Sequence, residues 1–233
     1  MTSTLFRFFR FTLLTFAASL LLVGAAVAGP PLICHPFDIG NAKSLPWISH
    51  DWNLDGRENY DARNLANDTL AILDRSQVPL VHMETLRRAT LYARSDRAAA
   101  KQLLLKIVAR AQSSESSFHP DAFAPFDAAY VIEAYKQWLG ENADNPAHGL
   151  DGGAWIRKSV QLRPNDGQLA FAAALITLRG PEAEHQEYAQ KATAGAKNDE
   201  LLARNLESHF RGPKSETMVE MILRNNSSKI ARQ

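Results

Sequence analysis

From residue 55 to residue 224 the chain is punctuated as a run of helices, and this narrows the fold more than any other feature. Apolar residues recur at three- and four-residue spacing, the mark of a helix with one buried face. Met83, Leu86, Thr90 and Ala93 form one such stripe, and Leu103, Leu104, Ile107, Val108 and Ala111 form the next. Gly180-Pro181 and Gly212-Pro213 each put a glycine where a helix stops and a proline where another starts. Pro79 suits a first helical turn, where its missing N–H costs nothing. The pattern predicts helices over 55–75, from 79 onward, over 97–112, and from Pro120-Asp121 to Gly140 through Phe123, Phe126, Tyr130, Tyr135 and Trp138. Further helices are expected over 153–163, 166–179, 182–196, 199–210 and 215–224. Asp55 to Glu58 reads as a capping box, and Glu84 with Arg87 and Arg88 reads as an exposed ion pairing. Ser113 to Ser117 reads as a linker, and the polar loop 141–153 as the best boundary within the body. No strand pair is legible. The expected class is all-α: stacked antiparallel helical hairpins over 55–224, an irregular arm over 29–54, and a flexible tail over 225–233.

The chain also repeats itself. RKSVQLRPND (157–166) aligns with QKATAGAKND (190–199) at an offset of 33, and RGP recurs at 179–181 and 211–213. RRATLYARSD (87–96) lies 70 residues before the first of these. Leu169, Ala172, Ala173, Ile176, Ala189 and Ala192 supply small or apolar residues, and Pro164 closes the unit. Over about 150–213 the chain therefore resembles tetratricopeptide-type repeats, with Ile176 standing where that family has an aromatic. The resemblance implies stacked helix pairs and a surface that binds a protein or peptide partner.

Residues 1–28 read as a signal peptide. Arg7 and Arg10 precede an uncharged stretch from Phe11 to Val27, and Ala26-Val27-Ala28 fits signal-peptidase cleavage after Ala28. An uncleaved anchor is the competing reading. Ile33 before Cys34 is too bulky for lipidation, and the longest later apolar run, 169–178, is too short to cross a bilayer. The expectation is an exported protein, periplasmic or extracellular, with no stable membrane insertion once the signal is removed. Removing 28 of 233 residues leaves 205 and takes the net charge from +1 to −1. Such a balance gives no electrostatic reason to expect nucleic acid as a partner. One cysteine allows no intrachain disulfide, so stability must come from packing. In the arm, Pro30, Pro31, Pro36 and Pro46 disfavour helix, while Leu32, Ile33, Phe37, Ile39, Leu45, Trp47 and Trp52 are too many apolar residues for a free tail.

Candidate chemistry is sparse. Cys34 and His35 are the candidate metal ligands, but neighbours in an extended segment point apart, so a further donor, another histidine or Asp38, is required. Cys34 also reads as a small buried residue or as a reactive or intermolecular thiol. Asp51, Asn53, Asp55 and Gly56 open like a calcium loop, yet the twelfth position, which must supply an acid, is Ala62. Glu115-Ser116 and Glu207-Ser208 are similar to the Glu-Ser of lytic transglycosylases, without that family's further motifs. There is no H-E-x-x-H, no G-x-S-x-G, no phosphate loop and no cofactor signature. The reading that follows is a protein- or peptide-binding scaffold without catalysis. The alternative is an exported cofactor-, metal- or glycan-binding protein, an enzyme included, that uses the arm around Cys34 and His35.

Overall fold

The structure, a computed structural model, describes residues 31–48, 54 and 56–210. Among the described residues eight α-helices follow in order: α1 (Leu65–Leu73), α2 (Pro79–Tyr92), α3 (Arg97–Glu115), α4 (Phe123–Leu139), α5 (Gly152–Leu162), α6 (Gly167–Ile176), α7 (Glu182–Gly195) and α8 (Glu200–Phe210). Among the described residues there is no strand, only an isolated bridge between Trp47 and Gly56. No helix among them is long and apolar enough to cross a membrane. The predicted leader, the 215–224 helix, the Gly212-Pro213 join and the 225–233 tail lie outside the described residues.

Helix starts follow simple chemistry. Asp96, Asp151, Asp166 and Asp199 each accept a hydrogen bond from a backbone N–H of the first turn beyond them, at 2.9–3.0 Å. Asp96, Asp166 and Asp199 end the three copies of the sequence repeat. The recurrence therefore has a local physical cause: each copy finishes on the cap of the next helix.

Packing sorts the helices into two layers. α2, α4 and α6 pack on one another and α8 packs on α6, while α1, α3, α5 and α7 cover them from outside. The inner helices are consequently buried almost all round. In α2 every residue from Pro79 to Leu91 is buried, and in α6 every one from Leu169 to Ile176. The most extensive pairing is α6 with α7, and it needs glycine. A Cβ on Gly195 would lie 2.7 Å from the Gly167 Cα, and one on Gly167 would lie 2.9 Å from the Gly195 Cα. Backbone meets backbone there, with no flexible side chain to give way.

Three sequence expectations are corrected. The helix expected over 55–75 is absent from 56–61, and Asp55 itself lies outside the described residues: Ala62–Asn64 forms a 3₁₀ turn capped by Asp61, and α1 follows at Leu65. Gly56 and Arg57 are held elsewhere, because Gly56 lies against the Tyr92 ring and the Arg57 N–H donates to the Tyr92 hydroxyl at 2.9 Å. Nor are Ser113 and Ser114 linker residues. They belong to α3, and the Ser114 hydroxyl accepts the Asp121 N–H at 2.7 Å, which folds the chain back toward α4. The 141–153 loop separates nothing in space either, since α4 and α5 pack closely and buried Asn145 ties the loop to the carbonyls of Tyr135 and Gly140.

Gly195→Ala should lower stability by about 1–3 kcal/mol through overpacking, although alanine is the better helix former. Chemical denaturation of the purified variant checks this, and a gain in stability would mean that the helices separate without cost.

Candidate functional site: the docked arm

The arm covers the inner layer. The Leu32 N–H donates to the Gln137 Oε1 (3.1 Å), and its carbonyl accepts the Tyr130 hydroxyl (2.6 Å), both on α4. The chain then crosses α2 to reach α8, where Asn205 reads both backbone groups of Asp38 at 2.8–2.9 Å. It turns at Gly40, whose φ of 59° suits glycine. The returning limb runs along α2: Ser44 bonds Thr85 (3.0 Å), the Leu45 carbonyl accepts Arg88 (2.6 Å), and the Pro46 carbonyl accepts the Tyr92 hydroxyl. Leu32, Ile33, Phe37 and Leu45 belong to the main hydrophobic cluster. The expected docking of the arm is thus observed, and the grip is largely on its main chain.

Beneath the arm lies a charged cluster that sequence reading placed on the surface. Glu84 is only 1% exposed. Its carboxylate accepts from Arg87 Nε and Nη2 (2.7 and 3.0 Å), from Arg88 Nε (2.6 Å) and from the Phe37 N–H (3.0 Å). Arg87 also donates to the Ile33 carbonyl at 3.2 Å, and the Trp47 ring lies over both guanidiniums at 5.2 and 5.9 Å. The Glu84–Arg87–Arg88 spacing is that of a solvent-facing pair. The arm reverses its environment by lying on top of it.

Cys34 and His35 sit at bends rather than in an extended strand. Cys34 is half-buried, and burial raises its thiol pKa while the Arg87 charge partly opposes the shift. Its thiol is a weak nucleophile. His35 is buried, and burial followed by Arg87 lowers its pKa. The structure brings His209 to it, with ring centroids 5.1 Å apart. Phe37 stacks on His209 at 4.6 Å, and Phe171 meets it edge-on at 5.4 Å. His209 donates Nδ1–H to the Asn205 carbonyl (2.9 Å), while Nε2 is shut from solvent without a hydrogen-bond partner. Burial, then His35, pushes the His209 pKa down to about 3. Asp38, the other expected donor, is engaged by Arg204 at 2.8 Å instead. Among the described residues no three His, Cys, Asp or Glu side chains are gathered to hold a metal ion. Three calcium-loop positions, Asp51, Asn53 and Asp55, lie outside the described residues.

A second polar cluster, unforeseen in the sequence, imitates a catalytic dyad. His82 Nδ1 lies 2.6 Å from Asp127, and both are fully buried. Nε2, which would act as a base, donates instead to the Ser76 carbonyl at 3.1 Å. Burial alone would lower the His82 pKa, but Asp127 and these hydrogen bonds outweigh it and raise the value. Arg110 joins Asp127 to Asp74 and Asp121 and so ties together the ends of α1 and α4. Glu115 is likewise paired, with Lys158.

Fold and site define an all-helical protein whose N-terminal arm is clasped by buried charges. Comparison with protein-family models, with curated proteins and with solved structures finds no match.

Glu84→Gln should destabilise the protein by about 3–5 kcal/mol, because it leaves two buried guanidiniums without a counter-charge. Denaturant unfolding measures this, and a change under about 1 kcal/mol would mean that the cluster is hydrated. The two histidines also shape the pH dependence. His209 has a depressed folded pKa, so its contribution is present above the unfolded value near 6.5 and is lost as pH falls toward 3. His82 has a raised folded pKa, so its contribution is complete below 6.5 and is lost as pH rises through the folded value. Melting temperature against pH should fall on both sides, and His209→Phe should flatten the acid limb alone.

Proposed function

We propose that this chain is an exported helical module that binds a protein or peptide partner and carries no catalysis. One observation carries the reading: the helices hold an irregular, proline-rich chain by its main-chain groups and bury four of its apolar side chains, Leu32, Ile33, Phe37 and Leu45. Main-chain hydrogen bonds joined to pockets for apolar side chains are also how peptides are recognised. Leu32, Ile33, Phe37, Asp38, Leu45 and Pro46 are all held through their backbones. The buried groups that resemble catalytic residues argue the same way, since Glu84, His82 and Asp127 are saturated by internal partners. Phe118 is fully exposed and Leu105 is 59% exposed on the outer side, where apolar contact with a partner is open.

A second reading has one observation in its favour. The unpartnered Nε2 of His209, next to His35, suits a soft metal ion or a cofactor. The experiment separates the two. The mature chain is captured with its partner from its own envelope or medium, and the recovered partner is titrated against purified protein. A saturable complex, with an N-terminus at Gly29 and no metal by elemental analysis, is the expected result. Stoichiometric metal lost in His209→Phe, without a saturable partner, would replace the first reading with the second. Deletion of 29–54 should collapse the body rather than free a groove, because it strands Arg87 and Arg88.

A further inference from the structure

The two ends of α3 carry complementary shapes. Just past its C-terminal end, in the turn to α4, Phe118 is fully exposed. The turn is ordered by its own hydrogen bonds. The Ser117 hydroxyl accepts the His119 N–H (3.2 Å) and donates to the His119 carbonyl (3.3 Å), so the residues on either side of Phe118 are bonded to each other. Ser114 in turn holds Asp121, its hydroxyl accepting the N–H and donating to the carbonyl. An aromatic ring displayed on an ordered turn loses little further freedom when it is buried by a partner. It is a knob.

Around the N-terminal end of the same helix, a cavity of about 260 Å³ opens between α2, α3, α4 and the loop after α4. Ala93, Ala100, Tyr135, Trp138, Leu139 and Pro146 give it apolar and aromatic walls, with room for one aromatic side chain. The Tyr135 hydroxyl is committed to the Ala100 carbonyl (3.2 Å), and Arg94 is engaged, its guanidinium lying 5.3 Å from the Trp138 ring centre. What these walls offer an occupant is aromatic and apolar contact. Helix α3 has 19 residues and is therefore about 28 Å long, so the knob cannot reach the hole of its own molecule.

Charge agrees with a pairing between molecules. Arg97 opens α3 at the rim of the cavity, where the helix dipole is positive. Its ion pair with Asp144 is long, 3.6 Å, and both side chains are 79% exposed, so water screens it heavily. The Phe118 end of α3 is the negative end of the dipole and carries Glu115, paired with Lys158 at the surface. Docking one end on the other brings opposite partial charges together and sets the dipoles of successive helices head to tail.

We propose that the Phe118 ring of one copy enters the cavity of the next, between Trp138 and Tyr135, so that the chain self-associates head to tail along α3. The contact is heterologous: each copy offers a knob at one end and a hole at the other, so assembly continues past a dimer. This goes beyond the binding reading above, because it concerns copies of this chain alone and is read on the purified protein.

The test is analytical ultracentrifugation of the mature protein up to about 1 mM, the range of a weak contact. The average mass should climb with concentration past that of a dimer. Phe118→Ser keeps the hole and loses the knob. Leu139→Lys keeps the knob and puts a charge on the hole, at a side chain that is already 39% exposed. Each variant alone should stay monomeric, and an equimolar mixture should form a one-to-one complex. In that mixture the Trp138 indole N–H of labelled Phe118→Ser protein, assigned through Trp138→Phe, should shift as unlabelled Leu139→Lys protein is added. Circular dichroism confirms that the variants fold. Wild-type protein that stays monomeric at about 1 mM, association that survives in either variant alone, or a mixture without complex would overturn the proposal.

Discussion

The structure depends on one buried carboxylate. Glu84 sits in the middle of the central helix α2, and without partners its charge would be too costly to keep there. Arg87 and Arg88 neutralise it, but each guanidinium then has donors left over. Those donors reach the carbonyls of Ile33 and Leu45, one on each limb of the arm. The cluster therefore needs the arm to be satisfied, and the arm, rich in proline and free of regular structure, needs the cluster to fix its backbone. Each satisfies the other, so residues 31–48 are part of the core rather than an appendage.

The same logic governs the outer joints. Arg110 bridges Asp127 to Asp74 and Asp121, while His82 is held between Asp127 and a backbone carbonyl. These groups join α1 to α4 where no disulfide is possible. Two buried side-chain atoms among the described residues are exceptions, Trp47 Nε1 and His209 Nε2. The His209 Nδ1 is bonded and its ring is packed by Phe37 and Phe171, yet its Nε2 has no hydrogen-bond partner. A buried polar atom without a partner costs stability.

How much of this was legible depends on the range of the interaction. The repeat that ends at Asp96, Asp166 and Asp199 was legible because a cap acts over three residues, although the structure was needed to show that these aspartates are caps. The stripe of Met83, Leu86, Thr90 and Ala93 was legible for the same reason, and all four are buried. Glu84 was misjudged because its spacing to Arg87 and Arg88 is identical in a surface pair and a buried one. Only the all-round apolar neighbours Leu80, Val81 and Leu91 hinted that α2 has no solvent face. The helix start expected at 55–58 was misread over its described residues because a competing contact, Gly56 against Tyr92, lies 36 positions away along the chain. The meeting of His35 with His209 spans the whole described body, and no local signal could announce it.

The chain by itself determined that helices form, where most of them start, that the arm cannot be helical, and that packing must hold without a disulfide. These follow from backbone geometry and short-range hydrogen bonds, which are written in neighbouring residues. Tertiary structure alone decided which helices lie inside, which charges are buried, and which histidine faces which. Those outcomes depend on what covers a side chain, and here the cover comes from residues far away in sequence.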